Sequence, residues 1–419
     1  MTETQRAAGF PEIRVPAALT FAALVAGFAA GILLQGTTAL DPLLSVAGPA
    51  GSLWLSALKL TILPLVIGLV FTGISQTLAA AGGGRLARRA VGMFMVVLLA
   101  SATMAILLVP ALLGLFPIPA SAVAALSGGA PEPGKVPGVA EILAAMMPDN
   151  IFAAASAGAM LPVVIFTSLL ALAATRIAEA PRRQLMLVFE GLAATMMVIV
   201  GWVLMLAPIG VFGLAVSLGA QSGADAIGGL AHYIVIVTAA GTVVLLAAYV
   251  VAATLGKQPL ATFARAVAPV QAVAISTQSS LACLPAMLAA SRRLGVREAT
   301  ADFVLPLAVA IFRATSPAMN LAVALYAAKL TGTTVPPAAL VAGALVAFLV
   351  SLSSVSLPGT LSFVVSVGPI AMTMGIPIEP LALLVAVEML PDIMRTLGNA
   401  TMDVAATTAV DRGGPDSTE

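Results

Sequence analysis

The sequence predicts an all-α polytopic membrane protein, and three observations carry that prediction. Sixty per cent of the 419 residues are hydrophobic and only 9% are charged, too few charges to clothe a soluble domain of this size. Mean hydropathy is +1.10, and apolar stretches of the length that crosses a bilayer recur along the chain. The polar residues are gathered into basic loops, two serine-rich interruptions and one C-terminal stripe. The same composition excludes other classes. No Lys/Arg run suggests nucleic-acid binding, and a net charge of +1 selects no partner. Cys283 is the only cysteine and His232 the only histidine, which leaves no intrachain disulfide and no His/Cys metal cluster. No cofactor is expected.

Taken in order, residues 1–14 are polar and carry Arg6 and Arg14, as in a cytoplasmic lead-in, and no small-residue cleavage site follows. The first span is 15–35. The second, 53–78, has Lys59 near one end, where it can snorkel. Arg85, Arg88 and Arg89 form a basic loop before the third span, 91–116. Residues 117–140 are rich in Pro, Gly, Ala and Ser and read as irregular. A fourth span, 142–174, is interrupted around Pro148 and Gly158, and Arg176, Arg182 and Arg183 follow it. The fifth is 187–218 and the sixth 227–255, with His232 and Tyr233 near the start of the sixth. A lone histidine near a span end reads as interfacial.

The pattern then changes. The apolar stretch 266–290 is split by STQSSLACLP (276–285), and 341–374 is split by SLSSVSLPGT (351–360). Each is two arms around a serine-rich turn with Leu-Pro, and each precedes one full span: 303–330 after the first, 381–411 after the second. This repeat reads as two re-entrant hairpins, each followed by a helix, beside six earlier spans. Broken backbone at membrane depth is tolerated where it is protein-buried or lines a cavity. Paired interruptions in corresponding halves point to a transport site.

The last span holds the chemistry. Glu388, Asp392, Arg395, Asn399 and Asp403 recur at steps of four, three, four and four, which puts all five on one stripe of a helix. Two readings stand: a buried ladder tying helices together, or a site for a small zwitterionic or anionic solute. Intramembrane charge favours the second. With the N-terminus inside, fourteen Lys/Arg fall on the cytoplasmic side and only Lys135 and Lys329 outside. That bias predicts cytoplasmic termini and a multi-pass protein of the inner (plasma) membrane.

Several motifs resemble the dicarboxylate/amino acid:cation symporter family, which includes glutamate and aspartate transporters. They are LKLTILPLVIGLVFTGI (58–74), MMPDNIFAAASAGAMLPVVIFTSLL (146–170), LAPIGVF (206–212), the tip around Ser279, Ser280 and Leu284-Pro285, and Leu357-Pro358-Gly359 in the second tip. The most specific is Asp392-Ile393-Met394-Arg395-Thr396 followed by Asn399 and Asp403. The resemblance implies a glutamate-transporter-like fold of eight transmembrane helices and two re-entrant hairpins, a homotrimer in the bilayer and an elevator-type movement. It implies a scaffold half, 1–255, of which part of the third span moves with the site. It also implies a transport core, 256–412, and a cytoplasmic tail, 413–419. It assigns Asp392 to a substrate ammonium and Arg395 to a side-chain carboxylate, where a planar fork suits bidentate binding. Thr396 and Asn399 would hold the remaining polar edges, Ser279, Ser280 and the backbone near Leu357 the main-chain carboxylate, and Glu388 would neutralise Arg395 in the empty site.

The chain departs from the family where the family binds sodium. The family's Asn-Met-Asp-Gly-Thr run reads Phe312-Arg313-Ala314-Thr315-Ser316 here, so that only Ser316 keeps a hydroxyl. In the third span, Val97, Ala100 and Ser101 stand where sodium-binding members carry Tyr and Thr-Ser. Arg313 is then expected to sit in or beside the vacated cavity and pair with Asp403, as a tethered cation. A further arginine that family members carry is replaced here by Gln278 or Ile393, so Arg313 also reads as its substitute, aimed at another acid or the substrate. The expectation is a carrier of aspartate, glutamate or a related dicarboxylate that does not use sodium, coupled to protons through Glu388, Asp392 or Asp403, with uncoupled uniport or exchange equally open. The rivals are a sodium-coupled C4-dicarboxylate carrier, a passive anion channel on the same frame and a non-transporting sensor. An enzyme is not expected, since the polar groups form an ion pair rather than a base-activated nucleophile.

Overall fold

The computed structural model describes residues 16–120, 123, 148–222, 225–352 and 359–412. Within these every regular element is a helix. Large apolar side chains such as Leu33, Leu60, Leu107 and Leu115 stand exposed on the outside, an arrangement that suits lipid rather than water. Among the described residues six helical stretches are long and apolar enough to cross a membrane, one of them, Glu298–Leu330, interrupted midway, and shorter apolar helices lie between them.

Helix α1 (Ala17–Leu33) leads to the long α2 (Leu40–Ala81) and then α3 (Arg85–Leu115). At 42 residues, α2 is about 63 Å long, roughly twice a hydrocarbon core, so it tilts or protrudes. Lys59 is therefore near its middle rather than at its end, and it pairs with Glu379 at 2.8 Å instead of snorkelling. The fourth crossing is broken as expected at Gly158, whose φ of +71° separates α4 (Ile151–Ser156) from α5 (Met160–Ala174). Asn150 caps α4 by accepting from the Phe152 and Ala153 amides. Residues 142–147 of that expected span lie outside the described residues.

The expectation of one span over 187–218 is wrong. The chain forms α6 (Glu179–Met205), turns at Leu206 and starts again as α7 (Ala207–Ser222). Pro208, the second residue of α7, lacks the amide that a continuing helix needs. The indole of Trp54 on α2 donates to Val203 O at 2.9 Å, a carbonyl that also accepts from the Leu206 amide, and so ties the end of α6 to α2. Helix α7 then packs against α1 and α2 through small residues. A Cβ on Gly27 would lie 2.7 Å from Phe212 O, and Gly31 meets the Val216 carbonyl, Gly213 that of Ala47 and Gly210 the ring of Trp54 at closer range still. Such spacing brings backbones together where lipid supplies no hydrophobic drive.

Helix α8 (Asp225–Thr254) is followed by the first hairpin, α9 (Leu260–Thr277) and α10 (Ser280–Arg293). Its tip is tighter than the expected 276–285 interruption: Gln278 alone takes a left-handed φ of 50°, and Ser279 caps α10 by accepting from Ala282 N. The second hairpin is α13 (Pro337–Ser351) and α14 (Gly359–Thr373), closed at its base where Gly343 meets Met374. Residues 353–358, Leu357 among them, lie outside the described residues.

The seventh span is also not one helix. It ends as α11 (Glu298–Ile311), runs extended through Phe312, and resumes as α12 (Ser316–Leu330). Pro317 opens α12 in the position where a missing amide costs nothing. Every residue of α12 except Lys329 is buried, so it lies in the core of the described residues. The last span bends once: α15 (Leu381–Val387) gives way at Glu388 to α16 (Met389–Arg412). The register survives, because the Asp392 amide still donates to Glu388 O at 2.9 Å.

Candidate functional site

The candidate site is built where the break in the seventh span meets the polar stripe of α16. Both arms of the first hairpin, α9 and α10, pack along α16, as do α8 and α11. The stripe therefore faces protein on several sides rather than lipid. Glu388 is 0% exposed, Asp403 and Asn399 1%, Arg395 4%, Asp392 and Thr396 5%. Burial this deep demands partners, because an unpaired charge in a low-dielectric interior is costly.

Arg395 finds several. Its Nη2 donates to Glu388 Oε1 at 2.7 Å and its Nη1 to Asn320 Oδ1 at 2.8 Å. Its Nε lies 3.6 Å from Asp392 Oδ1, within ion-pair range but without a hydrogen bond. The second oxygen of Glu388 accepts from Tyr233 Oη of α8 at 2.9 Å. Glu388, Asp392 and Arg395 are thus one cluster, with Tyr233 and Asn320 added by neighbouring helices.

Asn399 is committed to the break. Its Oδ1 accepts from both the amide and the hydroxyl of Thr315 at 2.9 Å, and the same hydroxyl reaches Arg395 O at 3.1 Å. Ser101 of α3 donates to Ala314 O at 2.6 Å. These bonds satisfy backbone groups that a broken helix leaves without partners. Phe312 packs its ring on Phe94 of α3, centroids 4.4 Å apart and planes 10° apart. Where the sequence resemblance led to an asparagine, the structure has a stacked aromatic pair.

The expected direct pair between Arg313 and Asp403 is not formed. Arg313 Nη2 turns back to Val309 O at 3.4 Å. That carbonyl is free because α11 stops before an amide can reach it. Asp403 and Asp392 are the carboxylates whose charge acts on Arg313. Both oxygens of Asp403 and the Nε of Arg313 are buried with no hydrogen-bond partner among the described residues. Ser280 and Ser316 are buried at 4% and 2%, and Ser279 is half-buried at the hairpin tip.

Sequence reasoning missed Tyr233, Asn320, Thr315 and Phe94. Asn320 carried a signal, being a lone amide in an apolar run of the kind that marks a function at membrane depth. Thr315-Ser316-Pro317 carried another, since that order is a helix start. Tyr233 and Phe94 carried none, because an aromatic within a span reads as packing.

A family model described as the sodium:dicarboxylate symporter family matches residues 17–413. The chain is similar to the proton/sodium-glutamate symport protein of Bacillus subtilis, with 26% identity over 395 residues covering 92% of this chain and 90% of that one. It is also similar to the proton/glutamate-aspartate symporter of Escherichia coli, with 26% identity over 85% of this chain and 83% of the relative. Similarity extends to the C4-dicarboxylate transport protein 1 of Pseudomonas aeruginosa, at 25% identity over 87% of this chain and 82% of the relative.

Proposed function

The chain belongs to the sodium:dicarboxylate symporter family, and on that premise we propose that it is a secondary active transporter of acidic amino acids, aspartate or glutamate, or of related dicarboxylates. The family is one of membrane transporters, not enzymes. The observation that carries the substrate class is the buried Arg395, held on α16 beside Asp392 at 3.6 Å. A guanidinium fork suits a carboxylate, and an adjacent carboxylate suits an ammonium group. That pair favours an amino dicarboxylate over a plain one. Thr396, Asn399, Ser316 and the tip serines Ser279 and Ser280 complete the proposed pocket, with the backbone near Leu357 as its outer gate.

Coupling is read from the donor set. Sodium needs several hard oxygen ligands, and apart from the two oxygens of Asp403 those at the break are engaged or replaced. Ala314 O accepts from Ser101 and Asn399 Oδ1 from Thr315, while Phe312 offers a ring and Arg313 a guanidinium, which has no lone pair to give a cation. Arg313 acts in this reading as a tethered cation that faces Asp403 through space, and the coupling ion is the proton. The reading extends to a homotrimer, a scaffold half (1–255) and a transport core (256–412) that moves as an elevator, with both termini cytoplasmic.

The test is uptake into proteoliposomes of labelled aspartate, glutamate, succinate and malate, with sodium, proton and potassium gradients imposed one at a time. Accumulation of an acidic solute that persists when choline replaces sodium is the expected result. Strict sodium dependence overturns the tethered-cation part. Failure to accumulate any of the four overturns the substrate class.

A further inference from the structure

We propose that Glu388 is the group that carries the coupling proton, taking it up as the solute claims Arg395 and releasing it when the solute leaves. This rests on the reading of the site as an acidic-solute carrier.

The argument begins with charge. The buried cluster holds three carboxylates, Glu388, Asp392 and Asp403, and two guanidiniums, Arg313 and Arg395. Fully ionised, it is already negative by one charge. An acidic amino acid adds one more negative charge and a plain dicarboxylate two, at a depth where uncompensated charge is costly. Something positive must enter with the solute.

Geometry then selects the acceptor. Asp403 faces the charge of Arg313, which in the proposed pocket stays on Val309 O and does not engage the solute. Asp392 lies on the Nε edge of Arg395 and, in the proposed pocket, keeps its charge for the solute's ammonium. Glu388 alone, among the described residues, accepts a hydrogen bond from the guanidinium that the solute would take: Arg395 Nη2 lies 2.7 Å from its Oε1, against 3.6 Å and no hydrogen bond for Asp392. Once Arg395 turns its charge to a second carboxylate, Glu388 is left fully buried with one neutral donor, Tyr233 Oη. Among the described residues the other elements bring no cation to it. Asn320 of α12 is neutral and binds Arg395. His232 of α8 turns away, to Tyr326 Oη and Phe116 O.

The step balances simply. The carboxylate of Glu388 gains one proton from the side the solute enters and becomes a neutral acid, with no bond to the solute. On the other side the solute departs, Arg395 returns to Glu388 and the proton leaves to water. One proton crosses with each solute, in the same direction. Tyr233 is a positioning residue, since its hydroxyl stabilises the charged form of Glu388.

The experiment is calorimetry of aspartate and of succinate binding to the purified full-length protein in lipid nanodiscs, in buffers of different ionisation enthalpy. Wild type should take up about one proton per solute, with affinity falling about tenfold per pH unit above its midpoint. Glu388→Gln should bind with no proton uptake and an affinity flat with pH. Should that variant not fold or not bind, Tyr233→Phe decides: proton uptake stays and the pH midpoint moves upward. Proton uptake that survives Glu388→Gln overturns the inference, as does solute binding by wild type without proton uptake. An unmoved midpoint in Tyr233→Phe does so too. If wild type binds neither solute, the acidic-solute reading itself fails and takes this inference with it.

Discussion

The glycine seam between α7 and the α1–α2 pair and the polar break beside α16 are both buried, yet they are held by opposite means. In the seam, backbone lies on backbone through Gly27, Gly31 and Gly213. Its few polar atoms are bonded, as Trp54 donates to Val203 O. At the break, charged and amide side chains carry the contacts, and atoms without a hydrogen-bond partner among the described residues collect there: Arg313 Nε, Asn320 Nδ2, Arg395 Nε and both oxygens of Asp403. Buried polar atoms without partners are rare and call for a reason. The seam is held by shape, whereas the break, among the described residues, leaves donors and acceptors unused. The contrast fits a rigid scaffold half and a working half.

The sharpest way to break that comparison is Arg395→Ala. It removes the only cation that is hydrogen-bonded to Glu388 among the described residues and leaves a fully buried carboxylate behind. Removing one partner of such a pair costs on the order of 3–5 kcal/mol. Melting of the solute-free protein in detergent should drop accordingly, and accumulation of acidic solutes should be abolished. Replacing Glu388 as well, in Arg395→Ala with Glu388→Gln, should recover most of the melting temperature but none of the uptake. If the single variant melts like wild type, the cluster does not hold that region together.

Gly213→Leu probes the other region. A Cβ at Gly213 runs into the Ala47 carbonyl and lies 3.1 Å from Gly51 N, backbone that cannot swing aside as a side chain can. Overpacking of this kind costs about 1–3 kcal/mol. The expected outcome is a lower melting temperature with solute affinity unchanged in the fraction that remains folded. A changed affinity at unchanged stability would show that the seam is part of the working half, and the division of labour would be lost.

The sequence disclosed these two regions unequally. The stripe on α16 was legible because charges at helical spacing in an apolar span have few innocent explanations. Its orientation needs only the 3.6-residue turn. The seam was not legible, because glycines in apolar helices are common and only the fold says which backbone comes near. Span 187–218 was misread for a related reason. Both α6 and α7 are apolar, hydropathy is blind to a turn at Leu206, and Pro208 was the one local signal. The break in 303–330 has one local signal, the helix start Thr315-Ser316-Pro317, which hydropathy does not register because Phe312 and Ala314 keep the stretch apolar where its backbone leaves the helix. The expected Arg313–Asp403 bond failed because residue pairing was inferred without knowing that Val309 O would be free to accept.

Lys59→Ala tests the line between the regions and carries the smallest expected effect. Lys59 on α2 reaches Glu379, in the loop between α14 and α15, and the two side chains are 36% and 46% exposed. Partial burial pushes the Glu379 carboxyl up, but hydrogen bonds and the Lys59 ammonium outweigh it and hold the group below the usual carboxylate range. A depressed carboxyl contributes stability above its unfolded value of about 4.3 and loses it as pH falls through the folded value. Solvent screening limits the pair to about 0–1 kcal/mol, so Lys59→Ala should barely move the melting temperature at neutral pH and not at all in acid. Its effect should appear in rate instead. If α2 stands still while α14 and α15 travel, this bond breaks in each cycle, and removing it should speed solute exchange by up to about fivefold at neutral pH. An exchange rate identical to wild type would mean that Lys59 and Glu379 move together, and the boundary between the still and the moving parts would lie elsewhere than between these two residues.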